Sequence, residues 1–202
     1  MSTPTNDRRS LIVDSAIDLI AAQGLRALTH RALDTALDLP AGSTSYYFRT
    51  KRALIEGIVE RIATRSRADF TAAQAEPKGR AKADGEIDPD QLAHEVASQL
   101  DRLLAQRRNH LITRHALIVD LLGDTELHAK LVGCLFSHRH ATTLFETLGA
   151  PDPATAAADF IAVIEGLVFD RFAGARAGLA PGTAKSVNQL AAALAAQFRT
   201  AT

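Results

Sequence analysis

The chain has 202 residues, of which 47% are hydrophobic and 23% are charged, a composition typical of a folded protein of one or two domains. Its 23 basic and 23 acidic residues balance, so the net charge excludes no class of partner, and its single cysteine excludes an intrachain disulfide. The sequence contains no apolar run of about 18 residues and no basic leader followed by an apolar stretch. We therefore expect a cytoplasmic protein without a membrane span.

Helical sequence patterns extend along most of the chain. Alanine, the best helix former, supplies 38 residues, and no convincing alternation of apolar and polar residues indicates strands. The sequence predicts an all-α protein of about nine helices, over residues 7–23, 29–36, 40–46, 50–70, 89–103, 111–122, 127–148, 153–173 and 183–198. Residues 76–89 are rich in glycine, proline and charge, and we expect an exposed, mobile loop there.

The two short predicted helices within residues 29–48 are joined by a tight turn, as in a helix-turn-helix that lays its second helix in the major groove of DNA. Residues 41–45 are small or carry hydroxyls, so this helix can approach a duplex closely. Hydroxyl and cationic groups follow at Tyr46, Tyr47, Arg49, Lys51 and Arg52. Taken alone, such a Ser/Thr/Gly run is more often an ordinary turn. Residues 1–52 hold seven basic and five acidic residues, a net charge of only +2.

The run GSTSYYFRTKRAL, from Gly42 to Leu54, resembles the corresponding segment of the TetR (tetracycline-repressor) family of transcriptional regulators. Shorter matches are Gly24-Leu25, Leu28-Thr29 and Arg31-Ala32-Leu33. The aromatic pair followed by a polar linker and Lys51-x-x-Leu54 is specific, because a generic helix-turn-helix does not require it. The clear resemblance covers about 50 of the 202 residues, and the remainder matches in its helical layout.

The resemblance implies a ligand-responsive DNA-binding regulator, most commonly a repressor, that binds a palindromic operator as a homodimer and is released by a small-molecule effector. It implies a helix-turn-helix domain over residues 1–66 and an effector-binding and dimerisation domain over residues 67–202. The implied DNA contacts are His30, Arg31, Ser43, Thr44, Tyr46, Tyr47 and Lys51. Of these, Ser43 and Thr44 would lie on the recognition helix and Lys51 would bind phosphate. Ser45 stands where many members carry tyrosine, so Tyr46 or Tyr47 is expected to take over that contact.

The predicted helix over residues 153–173 is apolar almost all round, so we expect one side to face its own domain and another to face a partner copy. With the last helix it would form a four-helix bundle across a two-fold axis, and a fully internal core is the alternative. The resemblance also implies an effector pocket among the middle helices. The candidate pocket residues are Arg114, His115, Phe136, His138, His140 and Glu165. Each histidine taken singly is more simply explained as a hydrogen-bonded core residue.

A helical metal- or ligand-binding protein without DNA binding is the alternative function. Cys134 and His138 are four residues apart on the predicted helix over residues 127–148, a spacing that can present two metal ligands, with His140 adjacent. The sequence has no second cysteine and no Glu-x-x-His, so we expect no metal or cofactor. It also lacks the common nucleophile, phosphate-binding and dinucleotide motifs, and we expect no enzymatic activity.

Overall fold

The computed structural model describes residues 4–75 and 88–200 of the chain. Within these ranges there are ten α-helices, one short 3₁₀ helix (Leu25–Ala27) and no strand, which confirms the all-α prediction. The α-helices are α1 (Pro4–Gln23), α2 (His30–Ala36), α3 (Ser43–Tyr47), α4 (Lys51–Ala75), α5 (Pro89–Gln106), α6 (Arg108–Asp120), α7 (Thr125–Val132), α8 (His138–Thr147), α9 (Pro153–Ala173) and α10 (Ala184–Thr200). The loop predicted over residues 76–89 lies outside the described residues as far as residue 87.

Short polar side chains set the beginnings of several helices. Thr29, Asp88 and Asp152 are N-caps of α2, α5 and α9, and each side chain accepts a hydrogen bond from a backbone N–H in the first turn. Pro89 occupies the first turn of α5, where its missing N–H costs nothing. Gly149 follows α8 with a φ of +76°, a left-handed conformation that favours glycine.

The predicted helix over residues 127–148 is wrong, because the chain forms two helices there, and this accounts for ten α-helices where about nine were predicted. Gly133 caps the C-terminus of α7, and the Ser137 side chain accepts a hydrogen bond from the backbone N–H of His140 to begin α8. Cys134 and His138 therefore do not lie on one helix, and the spacing argument for a metal pair no longer applies. Among the described residues, no three His, Cys, Asp or Glu side chains gather closely enough to hold a metal ion.

The chain divides into two compact units, and each has its own core. The first unit runs as far as Asp69 and also takes in Asn109–Cys134, so α6 and α7 pack with the N-terminal helices. Its core includes Ile17, Leu33, Phe48, Ile58, Leu117 and Leu131. The second unit comprises the rest of the described chain. The predicted boundary after residue 66 does not include this return of the chain, and as a functional boundary it stays a prediction.

A buried polar cluster joins α5, α9 and α10 within the second unit. The Asp101 carboxylate accepts hydrogen bonds from the backbone N–H of Gly182, at 2.7 Å, and from the hydroxyl of Ser186. Arg171 donates to the same Ser186 hydroxyl oxygen and, at 3.2 Å, to Oε1 of Gln189. These hydrogen bonds fix α9 and α10 against α5. No helix in the described part of the chain is both long and apolar enough to cross a membrane.

Candidate nucleic-acid interface

A tight turn connects α2 to α3 in the first unit. Leu37 ends α2, and the backbone N–H of Leu39 donates to the carbonyl oxygen of Asp34 at 2.8 Å. Asp38 has a φ of +50°, a left-handed conformation that aspartate tolerates better than most residues. Gly42 follows with a φ of +89°, so α3 begins at Ser43 and not at residue 40 as predicted. The two short helices form the predicted helix-turn-helix.

The carboxylate of Asp34 holds the first turn of α3. Only 5% of Asp34 is exposed; its Oδ2 accepts the backbone N–H of Gly42 and its Oδ1 accepts that of Thr44, both at 2.8 Å. These are donors that a helix N-terminus leaves without a partner inside the helix. Burial by itself raises the pKa of Asp34, but the hydrogen bonds from Thr44 and Gly42 outweigh it and lower the pKa below the ordinary aspartate value. Asp34 was not among the site residues predicted from the sequence.

The C-terminal end of α3 is held by side chains from α1 and α2. Nε2 of His30 donates to the carbonyl oxygen of Phe48 at 2.7 Å, because a carbonyl oxygen can only accept. Nη1 of Arg9 donates to the carbonyl oxygen of Tyr47 at 2.7 Å, and its guanidinium carbon lies 4.3 Å from the centroid of the Phe48 ring. The structure therefore gives His30 an internal role, whereas a DNA contact was predicted.

Phe48 packs closely on α4, and a glycine makes this approach feasible. A Cβ atom added to Gly57 would lie 3.0 Å from Cε1 of Phe48 and 3.3 Å from Cγ2 of Val13. Phe48 itself is 2% exposed. The ring thus lies between the Arg9 guanidinium and the backbone of α4, and this fixes α3 against the rest of the unit.

Several predicted DNA contacts lie on the surface around α3. Tyr46 is 78% exposed, and its ring meets that of the half-buried Tyr47 edge-on at 5.3 Å. Arg31 and Lys51 are exposed, as is Arg49. These three cations have no hydrogen-bond or ion-pair partner within residues 4–75 and 88–200, so they are available to bind an anion. We call the surface formed by these three cations and Tyr46 the cationic surface.

Ser43 and Thr44, the two DNA contacts predicted at the start of α3, differ in exposure. Ser43 is partly exposed, and its hydroxyl donates to the carbonyl oxygen of Pro40 at 2.6 Å, while its oxygen can still accept. Thr44 is 0% exposed, because the side of α3 that carries it packs against the interior of the unit. The Thr44 side chain is therefore not exposed for a contact, and the predicted DNA contact of this residue stays a prediction.

The arginines of α4 are already paired. Arg52 donates to Glu56 at 2.9 Å and to Asp124, the N-cap of α7, although 61% of its side chain is exposed. The hydrogen bond and the charge of Asp124 raise the pKa of Arg52 above its ordinary value. Arg61 makes a two-fold hydrogen-bonded ion pair with Asp14. Of the cations on α4, Lys51, at the end that adjoins α3, is therefore the one left to bind an anion.

The six predicted pocket residues are divided between the two units, with Arg114 and His115 in the first and the other four in the second. Arg114 is 1% exposed and donates to the carbonyl oxygens of Leu131, at 2.8 Å, and Val132, at 3.2 Å. It thereby stabilises the C-terminus of α7, and its predicted place at a pocket edge stays a prediction. Nδ1 of His115 lies 2.9 Å from the carbonyl oxygen of Leu111, one turn earlier in α6.

The remaining pocket candidates lie around α8 and α9. His138 and His140 are exposed, so neither is a core residue, which was the simpler explanation; His138 begins α8 just after Ser137. The half-buried Phe136 packs edge-on against Phe160 with ring centroids 5.4 Å apart, and Glu165 is also half-buried. A surface pocket of about 220 Å³ in the second unit is lined by other residues, namely Ala150, Pro151, Asp152, Thr155, Ala156, Asp159 and Gln197. The predicted effector site stays a prediction.

Solved structures with the same fold include several bacterial regulators. A transcriptional regulator from Rhodococcus sp. Rha1 is 19% identical, with a TM-score of 0.71 over 96% of this chain and 95% of that one. A regulatory protein of the tetR family from Rhodococcus RHA1 is also 19% identical, with a TM-score of 0.67 over 99% and 98%. The multidrug binding protein EbrR, in complex with imidazole, is 22% identical, with a TM-score of 0.59 over 92% and 94%. A comparison with curated proteins found no match.

Two family models match the sequence, and together they cover most of the described residues. The model for bacterial regulatory proteins of the tetR family matches residues 12–58, which contain α2, α3 and the start of α4. The model for the tetracyclin repressor-like C-terminal domain matches residues 88–200, more than half of the 202 residues. This chain therefore belongs to the TetR family of DNA-binding transcriptional regulators.

Proposed function

We propose that this protein is a ligand-responsive repressor that binds a palindromic operator as a homodimer through α3 and the cationic surface. The observation that carries the proposal is the contrast in charge pairing. The exposed side chains of Arg31, Arg49 and Lys51 have no partner within the described ranges, whereas Arg52 and Arg61 on α4 are paired with carboxylates. Phosphate contacts by such cations position a protein on DNA, and α3 would then read base edges.

The DNA-binding proposal is tested by selecting bound duplexes from a random pool at physiological salt. Enrichment of a palindromic sequence would support the proposal, since two copies of α3 about 34 Å apart would read two half-sites. Absence of enrichment at low salt, for protein shown by native mass spectrometry to carry no bound small molecule, would contradict it. The helical ligand-binding protein without DNA binding would then be the better description.

We propose that the homodimer forms through α9 and α10. Their exposed positions include the small residues Ala162, Gly166 and Ala192, which allow helices to approach closely. Phe169 on α9 is 48% exposed, a large apolar surface that a partner copy would cover. The buried cluster around Arg171 would keep both helices in register with α5.

A charge substitution tests this interface. Phe169→Glu should shift the protein towards monomer in sedimentation analysis, because it would bury two unpaired carboxylates across the two-fold axis. Val119→Glu is the matched control, since Val119 is also apolar, is 69% exposed and lies on α6 in the first unit. If the two variants changed the oligomeric state equally, the proposed interface would be wrong.

We further propose that a small-molecule effector releases the protein from DNA. The neighbour EbrR is described as a multidrug binding protein and was solved with imidazole and with ethidium, which makes small aromatic molecules reasonable first probes. An effector can act only if it binds the DNA-free arrangement of the dimer more tightly than the DNA-bound one. Effector and operator must then weaken each other equally, typically about 5- to 150-fold. Equal operator affinity with and without a saturating ligand would refute a regulatory role for that ligand.

We propose that each predicted domain has its own function, with DNA binding in residues 1–66 and effector binding and dimerisation in residues 67–202. Residues 109–134, which pack in the first unit, would connect the two activities along the chain. We propose no catalytic role for this protein.

A further inference from the structure

We propose that Asp34 is a positioning residue that determines the DNA sequence preference of α3 without touching DNA. The inference rests on the proposed DNA-binding function and adds a residue that neither the sequence pattern nor the family resemblance indicated. Asp34 lies on α2, is 5% exposed and directs both carboxylate oxygens to α3.

The geometry explains why a buried carboxylate can control recognition. Gly42 and Thr44 lie two residues apart, and both of their N–H groups bind the same carboxylate at 2.8 Å. Two such bonds to one planar group fix the position of α3 and its rotation about its own axis. Hydrogen bonds to an ionised acceptor are also stronger than those to a neutral one.

The short length of α3 makes this external anchor important. A helix of five residues has few hydrogen bonds of its own and is marginal without support. Ser43 and Tyr46 lie on its outer side, while Thr44 lies on its buried side. A small rotation of α3 would therefore change which groups face the base edges, whereas contacts of Lys51 with phosphate would change little.

The turn between α2 and α3 provides a matched control. Asp38 is exposed and has a φ of +50°, and its side chain has no hydrogen-bond or ion-pair partner in the described part of the chain. Asparagine tolerates this left-handed conformation as well as aspartate does. Asp38→Asn therefore removes the same charge as Asp34→Asn from the same helix-turn-helix and leaves the anchor of α3 intact.

The experiment compares the dissociation constants for a duplex selected by the wild-type protein and for a scrambled duplex of equal length. Asp34→Asn should lower the ratio of specific to scrambled affinity about tenfold, because it replaces a charged acceptor with an amide. Asp38→Asn should keep this ratio within about twofold. Both variants remove one negative charge per chain, so both should change the affinity for the scrambled duplex to the same extent. Equal ratios for the two variants would overturn the proposal.

Two further measurements separate positioning from loss of folding or of function. Asp34→Glu keeps the charge but moves the carboxylate by one methylene, so it should also lower the ratio. Thr113→Val removes a buried hydrogen bond to the carbonyl oxygen of Ile17 in the same unit, and a similar fall in the ratio would assign the effect to instability alone. In protein without DNA, amide hydrogen exchange at Gly42 and Thr44 should accelerate in Asp34→Asn. Unchanged exchange would overturn the positioning, whereas absence of DNA selection by the wild type would refute the proposed function itself.

Discussion

Lys51 and Arg52 are adjacent cations at the start of α4, and the structure predicts that they contribute differently to DNA binding. Lys51 is exposed without an internal partner in the described ranges, whereas Arg52 binds Glu56 and Asp124. Lys51→Ala and Arg52→Ala each remove one positive charge, so their long-range effects on a polyanion are the same. Any additional loss in Lys51→Ala therefore reports a direct phosphate contact.

The magnitude follows from counterion release. Each lost phosphate contact reduces the slope of log affinity against log salt by about 0.9, so a dimer with two equivalent contacts loses about 1.8. The affinity penalty of Lys51→Ala should then shrink about tenfold as salt rises from about 50 to about 200 mM. Arg52→Ala should change the slope by less than about half as much, because its charge is already compensated.

Fluorescence anisotropy on a labelled duplex of arbitrary sequence and about 30 base pairs is sufficient, since phosphate contacts do not depend on base sequence. Circular dichroism of both variants checks that the helices are retained. A slope change in Arg52→Ala as large as that in Lys51→Ala would refute the reasoning, because internal pairing would then have no influence on the contact with phosphate.

Three further predictions concern the stability of the first unit. Thr29→Ala removes the N-cap of α2 and should lower the free energy of unfolding in urea by about 1 kcal/mol; no measurable change would contradict the capping role. Because the pKa of Asp34 is lower in the folded than in the unfolded protein, its stabilising effect is complete above the ordinary aspartate pKa of about 3.9 and is lost as the pH falls through the folded value. Wild-type stability should therefore decline more steeply below about pH 4 than that of Asp34→Asn, and parallel pH profiles would exclude this linkage. Gly57→Ala should lower the free energy of unfolding by about 1 kcal/mol, because the cost of crowding the buried Phe48 ring exceeds the gain of about 1 kcal/mol in helix propensity. A stabilised variant would show that the ring can move aside.

Helix boundaries set by local chemistry were predictable from the sequence. Asp88, Asp152 and Thr29 are short polar residues at the start of apolar periodic segments, and all three are caps in the structure. The break between α7 and α8 was missed because the apolar spacing continues through it. Gly133 and Ser137 were the available signals, a glycine at a helix end followed by a capping residue.

Burial of individual polar side chains was less predictable. Thr44 and Arg114 both carry groups that normally face solvent, yet the structure places both side chains in the interior. The partners lie 10 residues away for the N–H of Thr44 and 17 residues away for Nε of Arg114, so only the fold brings them together. The same reason explains why Asp34 was overlooked: within the sequence it is merely one acidic residue near the turn.

The return of residues 109–134 to the first unit has a consequence for protein synthesis. The hydroxyl of Thr113 donates to the carbonyl oxygen of Ile17 across 96 positions of sequence, and Asn109 donates to Asp18 across 91. Leu117 and Leu131 lie in the same hydrophobic cluster as Ile17. The helices that carry α3 therefore leave the ribosome long before the last part of their core has been translated. A chimera that exchanges the first unit between two regulators should accordingly include both of its segments, residues 1–69 and 109–134. A cut after α4 would leave the first unit without α6 and α7.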